Sequence, residues 1–214
     1  MVISIDGFSA TGKSTLAFLL ASELNLRYLN SGSIYRCIAL KLMNKELNID
    51  DKDIYDKVIN LDIDFKIINN MQKVFLDKKD VTELIRKEDV SVFTPSFANN
   101  PNIKSAIRFI QKKFVDNGNV VIEGRDIGTR IAPDADYKFY FYCSLEERAR
   151  RIYNEKKEKE NISYEKIYND IDARDRKDIE DGNFIKPKNA IEIDTTKLNR
   201  DEILAMMLSY IKEK

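Results

Sequence analysis

Gly7-Phe8-Ser9-Ala10-Thr11-Gly12-Lys13-Ser14 follows directly on the apolar run Val2-Ile3-Ser4-Ile5. It opens into a segment whose leucines, Leu16, Leu19, Leu20 and Leu24, recur at helical spacing. The octapeptide fits G-x-x-x-x-G-K-[ST], a loop whose successive backbone N–H groups curl around a polyphosphate. The setting fits too, because a loop at a helix N-terminus gains a dipole that favours anions. Lys13 supplies a point charge for the terminal phosphates, and the Ser14 hydroxyl is a ligand for Mg²⁺. Gly7, Phe8, Ser9, Ala10, Thr11, Gly12, Lys13, Ser14 and Thr15 are therefore the candidate contacts to a nucleotide polyphosphate.

Outward from this loop, short apolar strands alternate with helical patterns, which predicts an α/β protein built on a parallel sheet. The candidate core strands are Val2 to Asp6, Arg27 to Leu29, Val120 to Glu123, Tyr137 to Tyr142 and Ala190 to Ile193. Val120-Val121-Ile122 has the continuous apolar character of a strand covered on both faces. Helices are expected over 14–24, 33–44, 102–116, 145–158, 163–177 and 200–212. Between them, Ile63, Phe65, Ile67, Val74 and Leu76 alternate around Asn69-Asn70, which predicts a hairpin. A hairpin is foreign to a simple doubly wound sheet, so residues 61–100 read as an inserted subdomain. Glu155-Lys156-Lys157-Glu158-Lys159-Glu160 alternates in sign and reads as an exposed helix end or as part of a lid.

Composition narrows the chemistry. The chain has 214 residues, with 36 Lys+Arg against 36 Asp+Glu, and a balance of zero argues against a general binder of nucleic-acid polymers or acidic membranes. There is no histidine, so imidazole cannot be base, nucleophile or metal ligand. The two cysteines, Cys37 and Cys143, lie too far apart for zinc-type spacing and read as free thiols. No apolar stretch approaches a membrane span and no signal peptide is recognised, so a cytoplasmic protein is expected.

Further motifs stand at predicted strand ends, where open α/β sheets bind ligands. Asn30-Ser31-Gly32-Ser33-Ile34-Tyr35-Arg36 follows the second strand; Ser31 or Ser33 is a ligand or a helix N-cap, and Arg36 a phosphate contact or a surface charge. Glu123-Gly124-Arg125-Asp126 follows the third and offers a carboxylate for Mg²⁺ through water plus a donor–acceptor pair, or only a local ion pair. Arg148, Arg150 and Arg151 lie on the helix after the aromatic strand; Arg148 and Arg151 share a face and could clamp phosphates, or the three are surface arginines paired with Glu146 and Glu147. Arg174-Asp175-Arg176-Lys177-Asp178 ends a helix, where cations are favoured in any case. Ile193-Asp194-Thr195-Thr196 could contact a base or cap the helix near Asn199.

Taken together these motifs resemble the bacterial cytidylate kinases over essentially the whole chain. The resemblance rests on Ile5-Asp6-Gly7, Ser31 to Arg36, Glu123 to Thr129, Pro133-Asp134-Ala135, Glu146 to Ala149, Arg174-Asp175 with Asp178, and Ile193 to Thr196. It implies a five-stranded P-loop kinase core with an inserted NMP-binding subdomain and a helical lid over 145–182. It also implies Mg²⁺-assisted transfer of the ATP γ-phosphoryl group to CMP or dCMP by a monomer. Ser31, Arg36, Lys104, Arg125, Asp126, Arg174 and Asp178 would then hold CMP. Lys13, Arg148, Arg151 and Arg174 would neutralise the transferring phosphates, and Ser14, with Glu123 through water, would hold Mg²⁺. The chain departs from the family pattern at Phe8 (usually Pro), at Pro95 (near a usual Ser), at Lys104 (usually Arg) and at Asp181 (where an Arg is usual). These departures keep two other readings open, a kinase for UMP, AMP or a small-molecule hydroxyl, and a nucleotide-binding module without transfer.

Overall fold

The computed structural model describes residues 1–69, 71–158 and 161–212. The second hairpin residue, Asn70, and the end of the charge tract, Lys159 and Glu160, lie outside these. The main sheet has five strands in the order β2-β6-β1-β7-β8, namely β2 (Arg27–Asn30), β6 (Val120–Gly124), β1 (Val2–Gly7), β7 (Tyr137–Tyr142) and β8 (Ile191–Asp194). β1 runs parallel to β7 in the register Ile5↔Phe139, and β7 parallel to β8 in the register Phe141↔Ile193. The chain divides into two compact units, one of residues 1–24 and 121–214, the other of residues 25–120.

In the first unit, Ile3, Ile5, Val121, Ile122, Phe139, Phe141 and Ile193 are buried, as strands covered on both faces require. The aromatic strand Tyr137–Tyr142 thus does the work of an aliphatic one. α1 (Lys13–Glu23) and α8 (Arg200–Lys212) pack against one another. α6 (Leu145–Lys156) and α7 (Tyr164–Glu180) form a helical pair around Ala149, Ile167 and Ile171, with Leu145, Ile152, Tyr153 and Tyr168 closing the cluster. Both helices begin on a serine cap, Ser144 accepting from the Glu147 N–H and Ser163 from the Lys166 N–H.

In the second unit, α2 (Ser31–Met43) and α5 (Pro101–Asp116) are the long helices. α5 starts with Asn100 as cap and Pro101 in the first turn, the arrangement favoured at a helix entry. The expected hairpin is present: β3 (Ile63–Ile68) pairs antiparallel with β4 (Met71–Leu76), which pairs with β5 (Lys79–Asp80). Val74 and Leu76 face inward, while Ile67 and Met71 at the hairpin tip are exposed. Two six-residue helices, α3 (Ile54–Ile59) and α4 (Glu88–Phe93), complete the unit.

Candidate active site

The phosphate loop takes its shape at the end of β1. A Cβ on Gly7 would lie 2.2 Å from the Phe141 carbonyl oxygen, so only glycine allows the chain to pass β7 there. Gly12, at φ +91°, turns the chain into α1. Lys13 is buried, and its Nζ donates to the Phe8 carbonyl and, at 3.5 Å, to the Thr11 hydroxyl. Burial pulls its pKa from 10.5 down to about 7, assisted by the Arg125 charge, while Glu123 and Asp6 oppose the fall. Across the loop, the Ser14 hydroxyl donates to Glu123 Oε1 at 2.9 Å. This brings together two hard oxygen donors 109 residues apart in sequence, a set that fits Mg²⁺.

Two arginines converge on the same loop. Arg125 donates to the Gly7 carbonyl at 2.9 Å, to the Ser9 hydroxyl at 2.6 Å and to Asp178 at 3.0 Å. Arg125 and Asp126 do not form the local pair that was one reading of the sequence; Asp126 pairs with Arg130 at 3.3 Å instead. Arg148 is buried and pairs with buried Asp175, not with Glu146 or Glu147. Its guanidinium also donates to the Ser9 carbonyl at 3.3 Å and the Cys143 carbonyl at 3.2 Å. Arg150 and Arg151 are the arginines that pair with Glu147, and Arg151 also donates to the Thr195 carbonyl. Arg174 lies exposed on α7, near enough for its charge to lower the Lys13 pKa.

Asp6, the residue before Gly7, lies in the strand that feeds the phosphate loop. Fully buried, it accepts from the Ile127 and Gly128 N–H groups at 2.8 Å each, the start of a π-helical turn, Ile127–Ile131. Burial pushes its carboxyl from 3.8 up to about 6, with Asp126 adding to the rise and the two N–H groups and Lys13 opposing it. Asp6 therefore ties the strand feeding the phosphate loop to the turn that follows Gly124-Arg125-Asp126. In the segment Ile193 to Thr196, the Thr195 hydroxyl lies 3.1 Å from the Thr11 carbonyl and 3.2 Å from the Tyr142 carbonyl, while Asn199 and Glu202 cap α8.

In the second unit, the N-cap of α2 is Asn30, which accepts from the Ser33 N–H at 3.0 Å, so neither Ser31 nor Ser33 plays that part. Ser31 lies in the first turn with its hydroxyl buried and without a hydrogen-bond partner among the described residues. Arg36, one turn on, donates to the Ser33 hydroxyl at 3.3 Å. Lys104 is half-buried in the first turn of α5. Both cysteines are free and buried.

A glycine-rich loop between a buried parallel strand and a helix, with a buried lysine and a Ser–carboxylate pair at its exit, defines a P-loop phosphotransferase. The shikimate kinase structure from Bacteroides thetaiotaomicron has the same fold, with a TM-score of 0.54 at 12% identity, covering 100% of this chain and 99% of its own. The cytidylate kinase family model matches residues 3–213. The cytidylate kinase of Carboxydothermus hydrogenoformans is 36% identical, covering 100% of this chain and 98% of its own length. That of Caldanaerobacter subterraneus subsp. tengcongensis is also 36% identical, over 99% of this chain and 94% of its own. The chain belongs to the cytidylate kinase family.

Proposed function

We propose that this chain phosphorylates CMP, and dCMP, at the expense of ATP. Its family membership over nearly the full length supports this reading. The observation that carries the chemistry is the Ser14–Glu123 contact beside buried Lys13, at the mouth of the phosphate loop. A regulatory module that had lost transfer would have no need to hold these groups together.

The loop N–H groups bind the ATP phosphates, and Lys13 meets the developing charge on the β- and γ-phosphates. A bound polyphosphate keeps Lys13 charged, because its negative charge offsets the hydration that burial removes. When bound, Mg²⁺ neutralises phosphate oxygens and would be held by Ser14, with Glu123 through water. An oxygen of the CMP phosphate bonds to the γ-phosphorus as the bridging P–O bond to ADP breaks, and ADP leaves with that electron pair. The acceptor oxygen is already anionic, so a chain without histidine lacks nothing that this step requires. Arg148, Arg151 and Arg174 offset charge on the phosphates, and the helical pair α6–α7 acts as the lid that excludes water. Within the second unit, Ser31, Arg36 and Lys104 are the residues assigned to CMP; within the first, Arg125, Asp126 and Asp178 are assigned to the substrates. The unpartnered, buried Ser31 hydroxyl supports its part in this set.

The test is ADP release from Mg·ATP with CMP, dCMP, UMP, AMP or no acceptor. Turnover confined to CMP and dCMP is expected. Equal turnover with UMP or AMP, or none with any acceptor, would overturn the assignment.

A further inference from the structure

Three links run from residues 175–184 to three consecutive residues of the phosphate loop. Asp175 pairs with Arg148, which reaches the Ser9 carbonyl. Asp178 pairs with Arg125, which reaches the Gly7 carbonyl and the Ser9 hydroxyl. Between these two ionic links, Phe184 stacks on Phe8 with ring centroids 3.9 Å apart and planes 12° from parallel. The Arg148 guanidinium lies 5.3 Å from the centroid of the Phe8 ring, and Tyr140 meets Phe184 edge-on at 5.9 Å.

Phe8 is therefore held at both ends. Its ring is fixed by Phe184 and Arg148, and its carbonyl accepts from Lys13 Nζ and, at 3.0 Å, from the Thr11 hydroxyl. Anions and salt compete with the two ionic links but not with the stack. A loop held in its binding shape loses less freedom when a ligand arrives, so it binds more tightly.

We propose that Phe8 and Phe184 form an aromatic latch that positions the phosphate loop, so that Phe184, which lies outside every nucleotide-binding motif, sets the affinity for ATP. This rests on the reading of residues 7–14 as the ATP phosphate site. Phe184 is a positioning residue, acting on the nucleotide through Phe8.

The experiment is calorimetric titration of the full chain with ATP in the presence of Mg²⁺, alongside KM for CMP and the melting temperature. Stacked aromatic pairs carry enough energy that Phe184→Ala should weaken ATP binding roughly three- to ten-fold. KM for CMP should stay within roughly two-fold. Phe184→Tyr should hold ATP affinity within about two-fold of the parent, and adding Phe8→Ala to Phe184→Ala should weaken binding little further. If Phe184→Ala does not fold, Phe184→Leu, which keeps the apolar volume without the planar ring, takes its place. ATP affinity unchanged in Phe184→Ala, or fully additive losses in the double variant, would overturn the latch while leaving the ATP site intact. Equal losses for ATP and CMP in step with a lower melting temperature would reduce it to a packing contact. A parent protein that binds no ATP would overturn the phosphate-loop reading and the latch with it.

Discussion

Lys13→Met should destroy activity and make the protein more stable. The reasoning starts from burial: Lys13 is 5% exposed, and its pKa falls from 10.5 to about 7 because the charged form is desolvated and faces Arg125. At 1.36 kcal/mol per pH unit, that fall corresponds to a cost of roughly 5 kcal/mol for the buried charge. Lys13 offsets part of it through hydrogen bonds to the Phe8 carbonyl and the Thr11 hydroxyl, each of about 1 kcal/mol. Both partners survive the substitution, because the Thr11 hydroxyl still donates to the Phe8 carbonyl at 3.0 Å. Methionine keeps the apolar stem and removes the charge, so a net gain of about 2–3 kcal/mol is expected, or a melting temperature raised by roughly 4–10 °C.

The sign with pH gives a second readout. A base whose folded pKa is depressed binds more protons in the unfolded chain between the folded and unfolded values. Stability of the parent should therefore rise between about pH 7 and pH 10.5, and Lys13→Met should lose that contribution. Phosphoryl transfer should fall by roughly 10³-fold, the scale of removing a charge-stabilising donor from a transition state. Thermal unfolding from pH 6 to pH 9.5, with ADP release at pH 7.5, reads all three quantities. A variant that melts at or below the parent temperature and keeps the alkaline rise would refute the argument, since Lys13 would then be holding the fold rather than straining it.

Asp6 should give the rate an acid limb near pH 6, because protonation removes an acceptor from two converging N–H donors. Its raised folded pKa makes stability fall as pH rises from about 4 to about 6, and Asp6→Asn should flatten both profiles in a pH series of kcat and melting temperature. Ser14→Ala and Glu123→Gln should each raise the Mg²⁺ concentration needed for half-maximal turnover, by roughly 10- to 100-fold. A Mg²⁺ titration that leaves this midpoint unmoved would exclude both residues from the metal site. Arg148→Met alone leaves buried Asp175 without its cation and should cost about 3–5 kcal/mol in urea unfolding. The double variant Arg148→Met, Asp175→Leu should recover most of that stability but not the activity.

The strands were legible because a sheet covered on both faces demands runs such as Val120-Val121-Ile122, and the phosphate loop because its spacing has few other uses. Glu123 was legible as a carboxylate at a strand tip, though its contact with Ser14 was not. The partner of Arg148 was not legible, because Asp175 comes from a helix packed alongside, while helix spacing gives Glu147 to Arg150 and Arg151. The cap of α2 turned on where the helix begins, since Asn30, Ser31 and Ser33 are all good caps and only Asn30 stands at the boundary. α3 and α4 are six residues each, too short for helical periodicity to register. Asp6 did carry a signal, a carboxylate inside an apolar strand that burial penalises unless it is bonded. Its partners lie 121 and 122 residues away, where no local pattern reaches. Phe184 sits in an irregular segment without periodicity and had no signal at all.

The hydrogen bonds behind the loop explain how so short a stretch can present ordered donors. In a trans peptide the carbonyl of one residue and the N–H of the next point in opposite directions, so holding the first aims the second. Arg125 holds the Gly7 carbonyl, Lys13 that of Phe8, Arg148 that of Ser9 and Thr195 that of Thr11. These four bonds orient the peptides that carry the N–H groups of Phe8, Ser9, Ala10 and Gly12. The donors come from the residue after β6, from α1, from α6 and from the residue after β8, so the loop's shape is a property of the whole unit rather than of its own eight residues. Three of the four donors are cations that a phosphate attracts, so under the proposed function an arriving nucleotide would compete for the groups that shape the loop. Thr195 and the Phe8–Phe184 stack carry no charge and do not take part in that competition. In the proposed reaction they are the contacts that would keep the loop in shape while Lys13 and the arginines turn from carbonyl oxygens to phosphate oxygens.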